Sequence, residues 1–262
     1  MAKRKVILHY HIFKNAGTSV DRMLEQSYGN CWLNYDKSES GEKISAFEME
    51  AFILDHPDVV AFSSHQVVPP LPSSKFLKVF PIIVLRHPID RAYSAYLFEW
   101  QKQQGNGIPI GKFSDYVAEK FQFFRKNAIE DFQTFHLANQ DYCNTSAFLS
   151  EGLRKDEEAL KSARQFIAQV GYFGIVDCYA ESLKLFKKVL FADFPDLIFN
   201  EYHENMLQDK ELTICDKVSY IRGLLDETSY TSLVMRNQLD LRLYEYSLGL
   251  FSKIYSAKIK GK

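Results

Sequence analysis

The chain has 262 residues, 46% of them hydrophobic and 25% charged, the composition of a globular protein that buries a substantial core. With 32 Lys and Arg against 33 Asp and Glu, the net charge is −1, which excludes a global field for nucleic acid or a membrane surface. Any anion site must therefore be built locally. Cys31, Cys143, Cys178 and Cys215 form no C-x-x-C pair, which argues against a metal site and for reduced thiols in a cytoplasmic protein. The basic start, Met1 to Lys5, leads into nothing like a signal peptide, and no run of about 18 apolar residues follows. The expectation is a single domain over 1–262, cytoplasmic or at most peripheral to a membrane, with no nucleic-acid partner.

In chain order, Lys5-Val6-Ile7-Leu8-His9-Tyr10 is an apolar strand that runs into a loop, His11 to Gly17. Thr18-Ser19 then opens a helical pattern at Val20, Met23 and Leu24. Unpaired N–H groups at a helix N-terminus carry partial positive charge and suit a phosphate. Gly17 lets a ligand approach the backbone, Lys14 adds a full charge, and the Thr18 and Ser19 hydroxyls add donors. The Walker order does not apply, because Lys14 precedes the first glycine instead of following a second one. The competing reading is a tight turn with an incidental Lys and Ser.

Cys31 to Tyr35 is a short apolar piece, Asp36 to Lys43 is a polar loop, and Ser45 to Asp55 has a helical pattern. Asp58 to His65 reads as a buried strand. His65 falls at its carboxyl end, because Pro69, Pro70 and Pro72 cannot donate to a ladder. Ile82 to Leu85 is the continuous β-branched and apolar run of a strand covered on both faces. Pro88 suits the first position of a helix that reaches about Gln103. Arg86 then lies at the strand end and Ser94 two turns into the helix.

Gln104 to Gly111 is a loop, and Phe113–Phe124 and Ala128–Ala138 are expected helices. Asp141 to Ser150 is loop-like, and Asp156 is placed to cap a helix to Val170. Tyr172 to Val176 reads as a strand, Ala180 to Phe191 as a helix and Leu197 to Asn200 as a last strand or an extended segment. Leu212–Leu225 and Leu239–Ile254 read as helices before a basic tail. Repeated βα units predict a three-layer α/β/α fold with a mainly parallel central sheet. Ligands of such sheets sit beyond the carboxyl ends of the strands. That edge would collect Lys14 to Ser19, His65, and Arg86 to Ser94: two anion pockets and a base.

His11-Ile12-Phe13-Lys14-Asn15-Ala16-Gly17-Thr18-Ser19 resembles the 5′-phosphosulfate loop of sulfotransferases that use 3′-phosphoadenosine 5′-phosphosulfate (PAPS). Leu85-Arg86-His87-Pro88-Ile89-Asp90-Arg91-Ala92-Tyr93-Ser94 resembles their 3′-phosphate loop. Phe132-Gln133-Thr134, Tyr172 to Leu183 and Leu239 to Tyr246 resemble segments of the carbohydrate O-sulfotransferase branch related to the heparan sulfate 2-O enzymes and their bacterial relatives. The chain departs from the usual Pro-Lys-Thr-Gly-Gly loop. Ala16 replaces a glycine, which requires a negative φ there, and Phe135 stands where an Arg commonly follows the Gln-Thr pair.

The resemblance implies a P-loop-NTPase-like sulfotransferase fold and in-line transfer of a sulfuryl group from PAPS, released as PAP, with no metal. Lys14 would stabilise the leaving phosphate, with Asn15, Ala16, Gly17, Thr18 and Ser19 on the 5′-phosphate. Arg86 and Ser94 would hold the 3′-phosphate, and His65 would be the catalytic base. Histidine suits that role because its charge changes in the physiological range. Glu99 is the reserve base. His9 and His11 read as structural, His87 as shaping a turn, and Arg91 as either a phosphate contact or a surface ion pair. Arg125, Lys126, Gln133 and Trp100 are candidates for an acceptor groove, with a surface or core role favoured for each. The implied acceptor is a carbohydrate or glycolipid. A non-carbohydrate acceptor, a nucleotide-dependent phosphotransferase and an inactive PAPS binder are the alternatives.

Overall fold

The computed structural model describes residues 3–39, 41–105, 111–122, 127–139, 149–199 and 212–261. Its strands are β1 (Arg4–Tyr10), β2 (Trp32–Asn34), β3 (Ala61–Ser64), β4 (Leu77–Leu85) and β5 (Gly174–Ile175). They form one sheet in the order β2-β3-β1-β4-β5, with every neighbouring pair parallel. The helices flanking it are α1 (Gly17–Tyr28), α2 (Ala46–Asp55), α3 (Pro88–Gly105), α4 (Phe113–Lys120), α5 (Phe132–Ala138), α6 (Leu149–Val170), α7 (Tyr179–Leu190), α8 (Ile214–Gly223), α9 (Glu227–Met235) and α10 (Gln238–Ile259). The chain therefore has the α/β fold expected from its sequence.

The unbroken apolar runs explain the central strands. Val6, Ile7 and Leu8 of β1, and Ile82 and Ile83 of β4, are fully buried, as strands covered on both faces must be. Register then brings the strand ends level. Tyr10 pairs with Ser64 on one side and Ile83 on the other, and Leu85 pairs with Ile175. His11, His65 and Arg86 consequently leave the sheet at the same edge. The chain also reverses its direction of winding at β1, which has β3 on one side and β4 on the other. This is the switch point where doubly wound sheets bind ligands.

Several boundaries differ from expectation. Helix α6 begins at Leu149, so Asp156 lies inside it instead of capping it. Glu, Leu, Arg and Lys favour helix through this stretch, and an Arg154–Glu158 ion pair of 2.6 Å spans the expected start. Strand β5 is only Gly174–Ile175, because a 3₁₀ turn over Val176–Cys178 takes over. Leu197 to Phe199 forms no strand, and Asn200 lies outside the described residues. Helix α9 was not anticipated from its Thr- and Ser-rich sequence. Asp226 starts it by accepting from the Ser229 N–H at 2.9 Å. Of the two loops expected at 104–111 and 141–150, residues 106–110 and 141–148 lie outside the described residues, and 104–105 and 149–150 belong to α3 and α6. Among the described residues no helix is long and apolar enough to cross a membrane.

The starts of α5 and α10 meet and cap each other. Asp131, just before α5, accepts from the N–H groups of Leu239 and Asp240 at 2.9 and 3.0 Å. Asp240, at the start of α10, accepts from the N–H groups of Gln133 and Thr134 at 3.1 and 2.8 Å, and from the Thr134 hydroxyl at 2.8 Å. Two positive helix ends are thereby neutralised by each other's carboxylates. Asp240 is fully buried, and so is Arg91, whose guanidinium lies 3.6 Å from it. Arg91 is thus a core cation, neither a phosphate contact nor a surface ion pair. Removing one member of such a buried charged cluster typically costs about 3–5 kcal/mol. Asp240→Ala should lower the unfolding free energy by about that amount, and Asp240→Asn by less, in urea titrations.

Candidate functional site

The loop after β1 bends through two left-handed residues, Lys14 (φ 63°) and Ala16 (φ 60°). Such alternation turns successive N–H groups toward one side and makes an anion-binding concavity. The N–H of Asn15 is already bonded to the Ile12 carbonyl at 3.1 Å, and that of Ser19 to the Ala16 carbonyl at 3.1 Å. Those of Ala16, Gly17 and Thr18 have no acceptor among the described residues and cap the open start of α1. Asn15 therefore contributes through its position: its buried amide donates to the Val84 carbonyl at 2.8 Å and to Gln133 at 2.7 Å. The Thr18 side chain is exposed and that of Ser19 is buried.

Ala16 is the departure that the sequence made conditional on a negative φ, and its φ is positive. The residue is held in a conformation that costs an L side chain about 1–2 kcal/mol. Gly17 has an ordinary φ, and its role differs from a close approach of ligand. A Cβ there would lie 2.0 Å from Cδ2 and 2.2 Å from Nε2 of His11. The glycine makes room for an imidazole.

Lys14 is half-buried, with Nζ 4.3 Å from the centre of the Phe98 ring, which itself meets Phe13 edge-on. Burial, and then the nearby Arg86 charge, push the lysine down to about 8. Arg86 follows β4. Its Nε donates to Asp90 at 2.6 Å and its Nη1 to the Lys14 carbonyl at 3.0 Å. Its Nη2 has no acceptor among the described residues. Ser94 lies one turn beyond Asp90 on the same face of α3, so it shares the side on which Arg86 is anchored.

Gln133 joins the two loops. Its Oε1 accepts from Asn15 Nδ2 at 2.7 Å and from the Arg86 N–H at 3.0 Å, and its Nε2 donates to the Arg86 carbonyl at 3.0 Å. It is a buried tie and does not line an acceptor groove. Glu99 is also engaged, with Tyr116 Oη 3.2 Å from Oε1 and Lys120 Nζ 2.8 Å from Oε2. The His87 ring meets Tyr244 edge-on, and Trp100 packs near Tyr96. Arg125 and Lys126 lie outside the described residues.

His65 stands at the end of β3 with its side chain 45% exposed. Its Nδ1 is 2.9 Å from Asp36 Oδ2, and Asp36 Oδ1 accepts from the His65 N–H at 2.8 Å and the Ser64 hydroxyl at 3.0 Å. Burial opposes ionisation of Asp36, but hydrogen bonds led by His65 and Asn34 outweigh it and hold the carboxyl well below its usual range. An ionised carboxylate only accepts, so in the neutral ring Nδ1 of His65 carries the proton and Nε2 the lone pair. Sequence reasoning missed Asp36, which looked like loop.

Beneath His65 lies a ladder of rings. The centres of His65 and His11 are 3.9 Å apart and those of His11 and His9 5.1 Å apart, both pairs stacked. Asp21 of α1 binds the lower two, with Oδ1 2.7 Å from His9 Nδ1 and Oδ2 2.6 Å from His11 Nδ1. Burial pushes His11 down to about 4, against the pull of Asp21. His9, His11 and Asp21 are the group among the described residues whose donor atoms come close enough for a metal. Their contacts are direct hydrogen bonds, too short to admit an ion between nitrogen and oxygen without rearrangement. Two histidines two residues apart at the strand's end, followed by an acid in the next helix, were the available signal for this cluster.

The loop yields a pair of opposite predictions. Gly17→Ala should destabilise the protein by about 1–3 kcal/mol, because the new methyl overlaps the His11 ring. Ala16→Gly, one residue away, should stabilise it by about 0.5–1 kcal/mol, the strain relieved less the added chain entropy. Urea unfolding of both variants measures the signs.

An uncharacterized protein of Archaeoglobus fulgidus is 25% identical over 260 residues, covering 95% of this chain and 98% of its own length. Residues 1–247 match the sequence pattern of the sulfotransferase family. With that match spanning the sheet, both loops and the start of α10, the chain belongs to the sulfotransferase family, whose chemistry is sulfuryl transfer.

Proposed function

We propose that this sulfotransferase takes its sulfuryl group from PAPS and passes it to a hydroxyl of a carbohydrate or glycolipid. The observation that carries the donor reading is the clamping of two cationic loops at one sheet edge, with Arg86 Nη1 on the Lys14 carbonyl at 3.0 Å and Gln133 bridging the backbones. A nucleotide with phosphates at both ends of its ribose presents two anions to such a pair, whereas a nucleoside diphosphate presents one group. The free N–H groups of Ala16, Gly17 and Thr18 suit the 5′-phosphate, and Nη2 of Arg86 with Ser94 suits the 3′-phosphate. Lys14 supplies charge where the leaving group develops it. His65, with Nε2 free, takes the proton of the acceptor hydroxyl as the oxygen attacks sulfur in line.

The acceptor class rests on the motif resemblance. Gln133 and Thr134 hold the loops and α10, and Ser182 accepts from the Ile175 N–H at 2.8 Å, so these residues of the resembling segments serve as scaffold. Transfer from labelled PAPS across glycans, glycolipids, tyrosyl peptides and small alcohols tests this reading. The highest rate is expected on a glycan or glycolipid.

Two measurements test the donor and the base. PAP, but not ADP, should raise the melting temperature, and Arg86→Ala should weaken PAP binding about 10- to 100-fold. Stabilisation by ADP and Mg²⁺ with ATP turnover would instead support a phosphotransferase. His65→Ala should bind PAP normally and lose about 100-fold or more in kcat; an unchanged rate removes the base assignment.

The pH dependence has a definite sign. Lys14 is charged below about 8 and neutral above it, so kcat/KM for PAPS should decline as pH rises through that value. Lys14→Arg, which stays charged, should remove that alkaline limb.

A further inference from the structure

His11 is buried, carries no charge in neutral solution and touches both halves of the site. Its ring face stacks on His65 at 3.9 Å, and its Cδ2–Nε2 edge fills the space where a side chain on Gly17 would be. Asp21 grips its Nδ1 at 2.6 Å, and His9 supports it from below at 5.1 Å. We propose that His11 is a positioning residue, an imidazole spacer that sets the separation between the donor loop at Gly17 and the base at His65. The proposal rests on the reading of His65 as the base.

Two features favour a spacer over a second proton carrier, and a third favours an imidazole over an apolar ring. The Nδ1 proton is committed to an acceptor that stays ionised, so it is not free to move. The other nitrogen lies against backbone at Gly17, where no acceptor hydroxyl fits. An apolar ring would fill the same space but would leave a half-buried carboxylate without one of its two donors. An imidazole therefore supplies thickness and an anchor together. In-line transfer makes that thickness matter, because displacing a reacting group by about 1 Å can cost about 100-fold in rate.

Chemical rescue separates the roles. His11→Ala should bind PAP within about threefold of the parent yet lose about 10- to 100-fold in kcat on the panel acceptor with the highest rate. Free imidazole and the much less basic pyrazole, which share ring shape and a ring N–H, should both restore the rate with saturation. Rescue that follows basicity would overturn the proposal, because His11 would then carry a proton. Rescue by neither ring, or an unchanged rate in His11→Ala, overturns it as well.

His65→Ala in the same series keeps the two readings apart. Loss of rate there with none in His11→Ala overturns the spacer alone, whereas full rate in His65→Ala removes the base reading and the spacer with it. Should His11→Ala fail to fold, Asp21→Asn releases the ring without emptying its place. It should lower kcat about tenfold with PAP affinity retained, and an unchanged kcat overturns the proposal.

Discussion

A buried carboxylate at the start of the last long helix governs the geometry of this molecule. Asp240 is fully buried, and its two oxygens receive the N–H groups of Gln133 and Thr134, the Thr134 hydroxyl and the charge of Arg91. Such a group is stable only when its surroundings are fully paired. By fixing the backbone of Gln133, it also fixes the amide that spans Asn15 and Arg86. The separation of the two anion loops is thus set from behind, by residues that need never touch a ligand.

The same layering recurs on the other side of the sheet edge. Asp36 orients His65, Asp21 orients His11 and His9, and each carboxylate is tied by more than one hydrogen bond. The outer groups that remain exposed have had their rotamers and tautomers decided by inner groups. The site is therefore preorganised, which transfer chemistry with little covalent work for the protein requires.

The sequence revealed the outline of this arrangement and concealed its supports. The runs Val6 to Tyr10 and Ile82 to Leu85 announced buried parallel strands, and the rule for such sheets put Lys14, His65 and Arg86 on one edge, where register does bring their strands to an end. The alternative for Ala16 was also visible: the residue type was known to be unsuited to a positive φ, and the loop imposes one regardless. What could not be read were the long-range partners. Asp36 looked like loop, Asp131 like the interior of a helix and Arg91 like helix surface, because a side chain's burial depends on what arrives from elsewhere. Gly17 was credited with admitting a ligand, when the group it admits is the ring of His11.

The ties between distant parts of the chain have a consequence for how activity arises. Asn15 is bonded to a residue 118 positions away, and Gln133 to one a further 107 positions on. The central strand pairs on both sides with segments synthesised later. Topologies of this kind fold slowly, since loop closure must precede the contacts that reward it. The shape of the donor loop therefore draws on α10, because Gln133, which holds Asn15, is itself held by Asp240. Fragments ending before residue 240 would carry the binding motifs without the buried carboxylate that holds Gln133 and Thr134 in place.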